Sequence, residues 1–269
     1  MTESNDIEET VRTLEEGTRE EQKEAFRVLR KISKTQPETL VSHVNTICTF
    51  ASDEDTEIRR DVASILTEIA GHEPSAVLPH AGDVCSLLLN DDPLVLAFAT
   101  AVAMRITPES PAALADATER LMELLTYESD WAPDPASSTR SRAILALGDL
   151  AEEDPTLAAR LDEPLAERLN DGSSLVRSSV VVTIKQLGLA HPEAVSTALA
   201  HLPSRLDDPD SETRYQTLLA IINFRHEQQD AIAQPDTVAT ALRQAVEKTD
   251  LTSKEMKTVA EAYKYIENN

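Results

Sequence analysis

The chain has 269 residues, of which 48 are acidic and 25 basic, giving a formal charge of −23, and aromatic residues make up only 3%. Long-range fields of this sign oppose nucleic acid and anionic membranes, and no apolar run approaches the roughly 18 residues that a bilayer span needs. Residues 1–6 are polar and acidic, with no basic or apolar signal region, which points to a soluble cytoplasmic protein.

Three in-phase columns then organise the chain. Prolines fall at Pro37, Pro74, Pro111, Pro155 and Pro192; a second column runs Arg59, Leu96, Arg140, Arg177, Arg214; six residues before each of these stand Asp53, Asn90, Asp134, Asp171 and Asp208. Self-similarity at about 37 residues signals a solenoid, in which each unit buries its apolar face only against its neighbours. The expected organisation is one domain, 1–269, of about seven helix pairs.

The first repeat, 5–36, carries Glu16 and Gln22 in the column positions, as a terminal cap exposed on one side would. Repeats 37–73 and 74–110 follow, the latter with Asn90 and Leu96 in the polar columns. Repeat 111–154 is seven residues longer, and the excess lies between Leu125 and Asp134 because both flanks keep phase. It holds Tyr127 and Trp131, the only tryptophan, either as an exposed grip for a partner or as a ring folded back over the repeat's own end. Repeats 155–191 and 192–234 return to register. The last, 235–269, with Pro235 and a helical run 251–266, is out of phase and reads as the C-terminal cap.

Each repeat reads as two helices. Counting from the arginine column as zero, position +3 is Ala25, Val62, Ala99, Ala143, Val180, Thr217; position +7 is Leu29, Leu66, Ala103, Leu147, Ile184, Ile221; position +10 is Ile32, Ile69, Ile106, Leu150, Leu187, Phe224. That spacing is one buried stripe of a second helix. Positions −12 (Ile47, Val84, Leu121, Leu165, Leu202) and −8 (Leu14, Ala51, Leu88, Leu125, Leu169, Leu206) mark the inward stripe of a first helix. Asp55, Asp92, Ser173 and Asp210 at −4 are expected to cap the second helices, Pro93 suits a first helical position, and the proline column is expected to open the first helices.

These features resemble HEAT repeats. The resemblance rests on Asp53 with Ile58-Arg59, Asp134 with Thr139-Arg140, Asp171 with Val176-Arg177 and Asp208 with Thr213-Arg214, and covers residues 5–224. It implies an all-α, alpha-alpha superhelix of armadillo type, with a structural ladder of aspartates and arginines (Asp53, Arg59, Asn90, Asp134, Arg140, Asp171, Arg177, Asp208, Arg214), interrupted at Asn90 and Leu96. Low lysine, few aromatics and abundant acid also resemble the proteins of extreme halophiles.

Chemistry is sparse in the sequence. His72-Glu73 and His226-Glu227 cannot supply the matched ligand ring of a di-iron site, and His43, His80, His191 and His201 are scattered in phase, so no metal is expected. Cys48 and Cys85 share one phase of adjacent repeats and read as small buried positions. Six glycines leave no phosphate-cradling loop, and no cofactor is expected.

The second-helix face opposite the core is the candidate surface. Positions +1, +5 and +8 point away from the stripe, and in HEAT-like solenoids that side lines the concave surface. They place an apolar strip of Ala101, Met104, Leu145, Val182, Tyr215, Leu219 and Ile222 beside a basic end of Lys23, Arg27, Arg30, Lys34 and Arg60. A groove for a segment of a partner protein is the leading expectation, with no nucleic acid or membrane as partner and no catalysis. The alternative is an enzyme of the HEAT-like lyase group related to bilin attachment, which needs a polar site for a pigment.

Overall fold

The computed structural model describes residues 2–131, 135–227 and 257. All regular structure among them is helical, with no strand, and no helix is long and apolar enough to cross a membrane. Asp134 and, apart from Lys257, the seventh repeat lie outside the described residues. The chain divides into two compact units, Met1–Ala146 and Leu147–Asn269.

In the first unit α1 (Thr2–Glu16) pairs with α2 (Arg19–Ser33), α3 (Val44–Cys48) precedes α4 (Thr56–His72), α5 (Ala81–Leu88) precedes α6 (Pro93–Ile106), and α7 (Thr118–Glu123) precedes α8 (Ala136–Glu152), within which the unit boundary falls. The second unit contains α9 (Pro155–Arg168), α10 (Ser174–Ala190), α11 (Ser196–His201) and α12 (Ser211–Glu227). The second helices stack side by side, α2 on α4 on α6 in one unit and α10 on α12 in the other.

The apolar columns explain this stacking. Every residue at −12 and −8 is buried, as is every one at +3 and +7 and all of +10 except Ile32. Ile32 is half-buried and borders a shallow cleft of about 320 Å³ between α1 and α2. Fully burying such an aliphatic side chain contributes about 1.5–3 kcal/mol, so the columns supply much of the driving force.

The ends of the helices follow their capping residues. Asp55 accepts from Glu57 N at 2.8 Å, Asp92 accepts from Leu94 and Val95 N, and Asp210 accepts from Thr213 N at 2.8 Å. Ser173 holds the cap position of α10 but makes no side-chain cap bond; Asp171 instead turns back onto Ser173 N at 2.9 Å. The proline column departs from expectation too. Only Pro155 opens an α-helix directly, on the Asp154 cap. Pro37, Pro74 and Pro111 open 3₁₀ turns that lead into short first helices, and Pro192 lies in a turn ahead of α11.

Candidate functional site

The ladder columns converge on one geometry. Arg177 donates Nε and Nη2 to the two carboxylate oxygens of Asp208, both at 2.7 Å, and Nη1 to the Asp171 carbonyl at 2.8 Å. The arginine thus clips the carbonyl of its own repeat to the carboxylate of the next. Arg177 and Asp208 are 8% and 3% exposed, so the pair is sheltered from solvent screening. Burial alone would raise the Asp208 carboxyl, but the hydrogen bonds from Arg177 and Asp210 N and the nearby guanidinium charges hold it below the usual range. Arg214 reaches the Asp208 carbonyl at 3.0 Å in the same manner, and Arg140 bonds the Tyr127 carbonyl at 2.7 Å.

In the first unit the ladder has a gap and a substitute. Arg59 bonds the Asp53 carbonyl at 2.6 Å, Glu54 O and Thr56 Oγ1, yet its buried Nε has no hydrogen-bond partner. The 31-residue step that joins Arg177 to Asp208 leads from Arg59 to Asn90, whose side-chain oxygen accepts from Asp92 N at 2.9 Å. No carboxylate stands there to take Nε. In the first repeat Gln22 bonds the Leu14 carbonyl at 2.8 Å, and the vacant rung is filled by Arg19, which forks onto both oxygens of Asp53. Arg19 lies three residues from the column, so its role was not legible from phase.

The basic end is matched to acid on the next second helix. Lys23 pairs with Asp55 at 2.6 Å, Arg27 with Glu57 at 2.9 Å, Arg30 with Asp61 at 3.0 Å, and Arg60 Nε with Asp92 at 2.9 Å. Four of the five cations of the basic end are therefore ion-paired within the stack, and Lys34 is exposed. The Lys23 contact lowers Asp55, whereas burial raises Asp61 in spite of Arg30.

Trp131 occupies a position that neither sequence reading foresaw. Its ring stacks on the Arg60 guanidinium, 5.2 Å from centroid to Cζ, and remains 43% exposed. The long loop of the fourth repeat thus reaches back to the second.

Beyond Arg60 two further arginines lie beside the expected apolar strip. Ala101 is fully buried and offers no side chain to a ligand. Arg142 of α8 donates Nη1 to the Ala97 carbonyl at 2.6 Å, and Arg105 donates Nη1 to the Ala101 carbonyl at 3.1 Å. Alanines at these positions leave the α6 backbone open to guanidinium groups. Gly71 on α4 does the same for Arg105, since a Cβ there would stand 3.2 Å from its Nε. Among the described residues no carboxylate pairs with Arg105 or Arg142. Burial, and then the charge of Arg105, hold the Arg142 guanidinium below its ordinary value. Met104 and Leu145 are half-buried beside them. Arg105 and Arg142 do not recur in phase, and a search for repeating columns passes over them.

In the second unit Val182, Tyr215, Leu219 and Ile222 are half-buried on α10 and α12. Val182 lines an open cleft of about 520 Å³ with Glu152, Lys185, Gln186, Leu189 and Ala190. Gln186 is fixed there by bonds to Asp149 and Glu152 at 3.1 and 2.7 Å.

No family profile and no curated protein matches the chain. Solved structures do. An engineered protein superposes with a TM-score of 0.75 at 23% identity, over 97% of this chain and 68% of that one. A computationally designed armadillo repeat protein for modular peptide recognition gives 0.67 at 19% identity, over 79% of this chain and 97% of that one. A designed armadillo repeat protein in complex with the peptide (KR)4 gives 0.68 at 20% identity, over 80% and 98%. The fold is accordingly an all-α solenoid of the HEAT and armadillo type.

Proposed function

We propose that this chain is a non-catalytic scaffold that binds a segment of a partner protein on its second-helix face. The observation that carries the reading is the Arg105–Arg142 pair: two guanidinium groups on the α6 carbonyls, the Arg142 one lowered by burial and then by the charge of Arg105, with no carboxylate on either among the described residues, in a chain of charge −23. Lys23, Arg27, Arg30 and Arg60 of the same unit, by contrast, each have a carboxylate beside them. A desolvated arginine pair gains most from a carboxylate supplied from outside. The partner segment is therefore acidic, unlike the basic peptide of the designed protein, with apolar side chains for Met104 and Leu145. In the second unit Val182, Leu219, Tyr215 and Ile222 offer apolar anchors.

The test is affinity capture from cell extract at high salt, followed by mass spectrometry, with the wild type, an Arg105→Gln/Arg142→Gln variant and a Val182→Asp/Leu219→Asp variant. One stoichiometric protein should be retained by the wild type and lost from each variant, because removing central anchors commonly costs about 2 kcal/mol or more. Circular dichroism controls for folding. Capture of the same protein by both folded variants would show that the partner sits elsewhere, and retention of a small molecule without protein would favour an enzyme. The acidity itself we read as adaptation to concentrated salt, where fields are screened within about 3 Å at 1 M.

A further inference from the structure

Neighbouring first helices bring together three groups that the sequence scatters. Cys48 closes α3 and is 2% exposed. His80 ends the 3₁₀ turn Leu78–His80, and Asp83 lies in the first turn of α5. The Cys48 sulfur, a ring nitrogen of His80 and a carboxylate oxygen of Asp83 all lie within 4.8 Å of one another. The sequence holds a matching signal: Asn45 and Cys48 are three residues apart, as are His80 and Asp83, and each member of one pair is 35 residues from its counterpart. Two residues three apart share a helical face. Stacking sets the two faces against each other.

His80 is held by a partner at each ring nitrogen. Nε2 lies 2.7 Å from the side-chain oxygen of Asn45, an acceptor, so this nitrogen carries the proton. Nδ1 faces Asp83 Oδ2 at 3.2 Å, an ion pair when the ring is protonated and a pair of adjacent ligand atoms when it is not. The buried Cys48 sulfur lies within 4.8 Å of a ring nitrogen of His80 and of a carboxylate oxygen of Asp83. Asn45 performs what an outer partner does for a metal-bound histidine, fixing the tautomer and aiming the free nitrogen.

We propose that Cys48, His80 and Asp83 bind a zinc ion that clips the second repeat to the third. Zinc takes sulfur, nitrogen and oxygen together in tetrahedral array, with bonds of about 2.3, 2.0–2.1 and 2.0–2.2 Å. Such bonds place ligand atoms roughly 3.3–3.7 Å apart. The nitrogen–oxygen separation of 3.2 Å is close to that range, and with every atom of the group within 4.8 Å the sulfur has to draw in by at most about 1 Å. Three protein ligands leave a fourth position for water, on the side where Asp83 is 40% exposed. Binding displaces the thiol proton to solvent and forms the zinc–sulfur bond, with no change of oxidation state. Because the ligand is the thiolate, affinity should fall as pH is lowered.

The full chain, stripped with chelator, is titrated with Co²⁺ and followed by absorbance, then competed with Zn²⁺. One equivalent of Co²⁺ should give a thiolate-to-metal charge-transfer band and the intense visible bands of a tetrahedral site, both removed by one equivalent of Zn²⁺. Cys48→Ser and His80→Gln should abolish the band, Asn45→Ala should weaken binding about tenfold, and Cys85→Ser should leave it intact. Asp83 is half-exposed, so Asp83→Asn retains the fold and should weaken binding even where the Cys48 variant fails to fold. Carboxylates on a surface with 48 acidic residues bind Co²⁺ without a thiolate band. If that featureless binding is all the wild type shows, or if the Asp83 and His80 variants keep the band at unchanged affinity, the assignment is wrong.

Discussion

Arg59 and Arg177 stand at one phase of different repeats and meet different fates because of a single residue 31 positions on. Asp208 takes two hydrogen bonds from Arg177; Asn90 leaves Arg59 Nε without a partner. Removing one member of a buried pair strands the other charge, which costs about 3–5 kcal/mol. Arg177→Ala should therefore lower the melting temperature by several degrees, whereas Asn90→Asp should raise it, by about 1 kcal/mol of stability. Thermal melts at matched salt check both, and an unchanged Arg177→Ala curve would contradict the ladder. The pH response follows from the same groups. Asp53, Asp92 and Asp208 are held below the ordinary carboxylate value, so their contribution is present above about pH 4 and is lost as pH falls through their folded values. Asp61, raised by burial, works in the opposite direction. Acid unfolding below about pH 4, milder in Asp208→Asn, is the expected titration.

At the scale of helices, the buried columns were readable because a 3.6-residue period forces each stripe into one interface; only Ile32 among them is not buried. What the period could not express is how closely two backbones approach. Gly188 on α10 sits under the Phe224 ring, and a Cβ there would come within 2.8 Å of ring atoms and 2.9 Å of Leu199 Cδ2. Gly188→Ala gains about 1 kcal/mol in helix propensity but overpacks a rigid ring, at a cost of about 1–3 kcal/mol. A net fall in stability is expected in chemical denaturation, and a gain would show that the second unit is looser than drawn. The candidate site was less legible than the core for a related reason. Columns reveal what recurs, whereas Arg105, Arg142, Arg19 and the Cys48–His80–Asp83 group occur once. Ala101 was assigned to the open strip on phase alone, without the two guanidinium groups that lie on the α6 carbonyls. The ion pairs of the basic end were likewise hidden, because charge on one helix says nothing of the acid on its neighbour.

For the molecule as a whole, a charge of −23 penalises any compact state through self-repulsion. Added salt should then stabilise the fold even though it weakens exposed ion pairs such as Arg27–Glu57. Circular dichroism should show a melting temperature that climbs from dilute buffer to molar salt; equal values at both would argue against the reading of the acidity as adaptation. The sheltered rung at Arg177 should survive this titration while the exposed pairs fade.

The stacking of Trp131 on Arg60 gives this surface an optical gauge of its own. As the only indole in the chain, it is the sole source of tryptophan emission, and it lies against Arg60 with 43% of its area in solvent. Whatever displaces the ring from the guanidinium, or covers its free side, changes the polarity around one fluorophore at a known address. Binding at the proposed face, if it moves or covers the ring, would register in the unlabelled protein by colour and intensity alone.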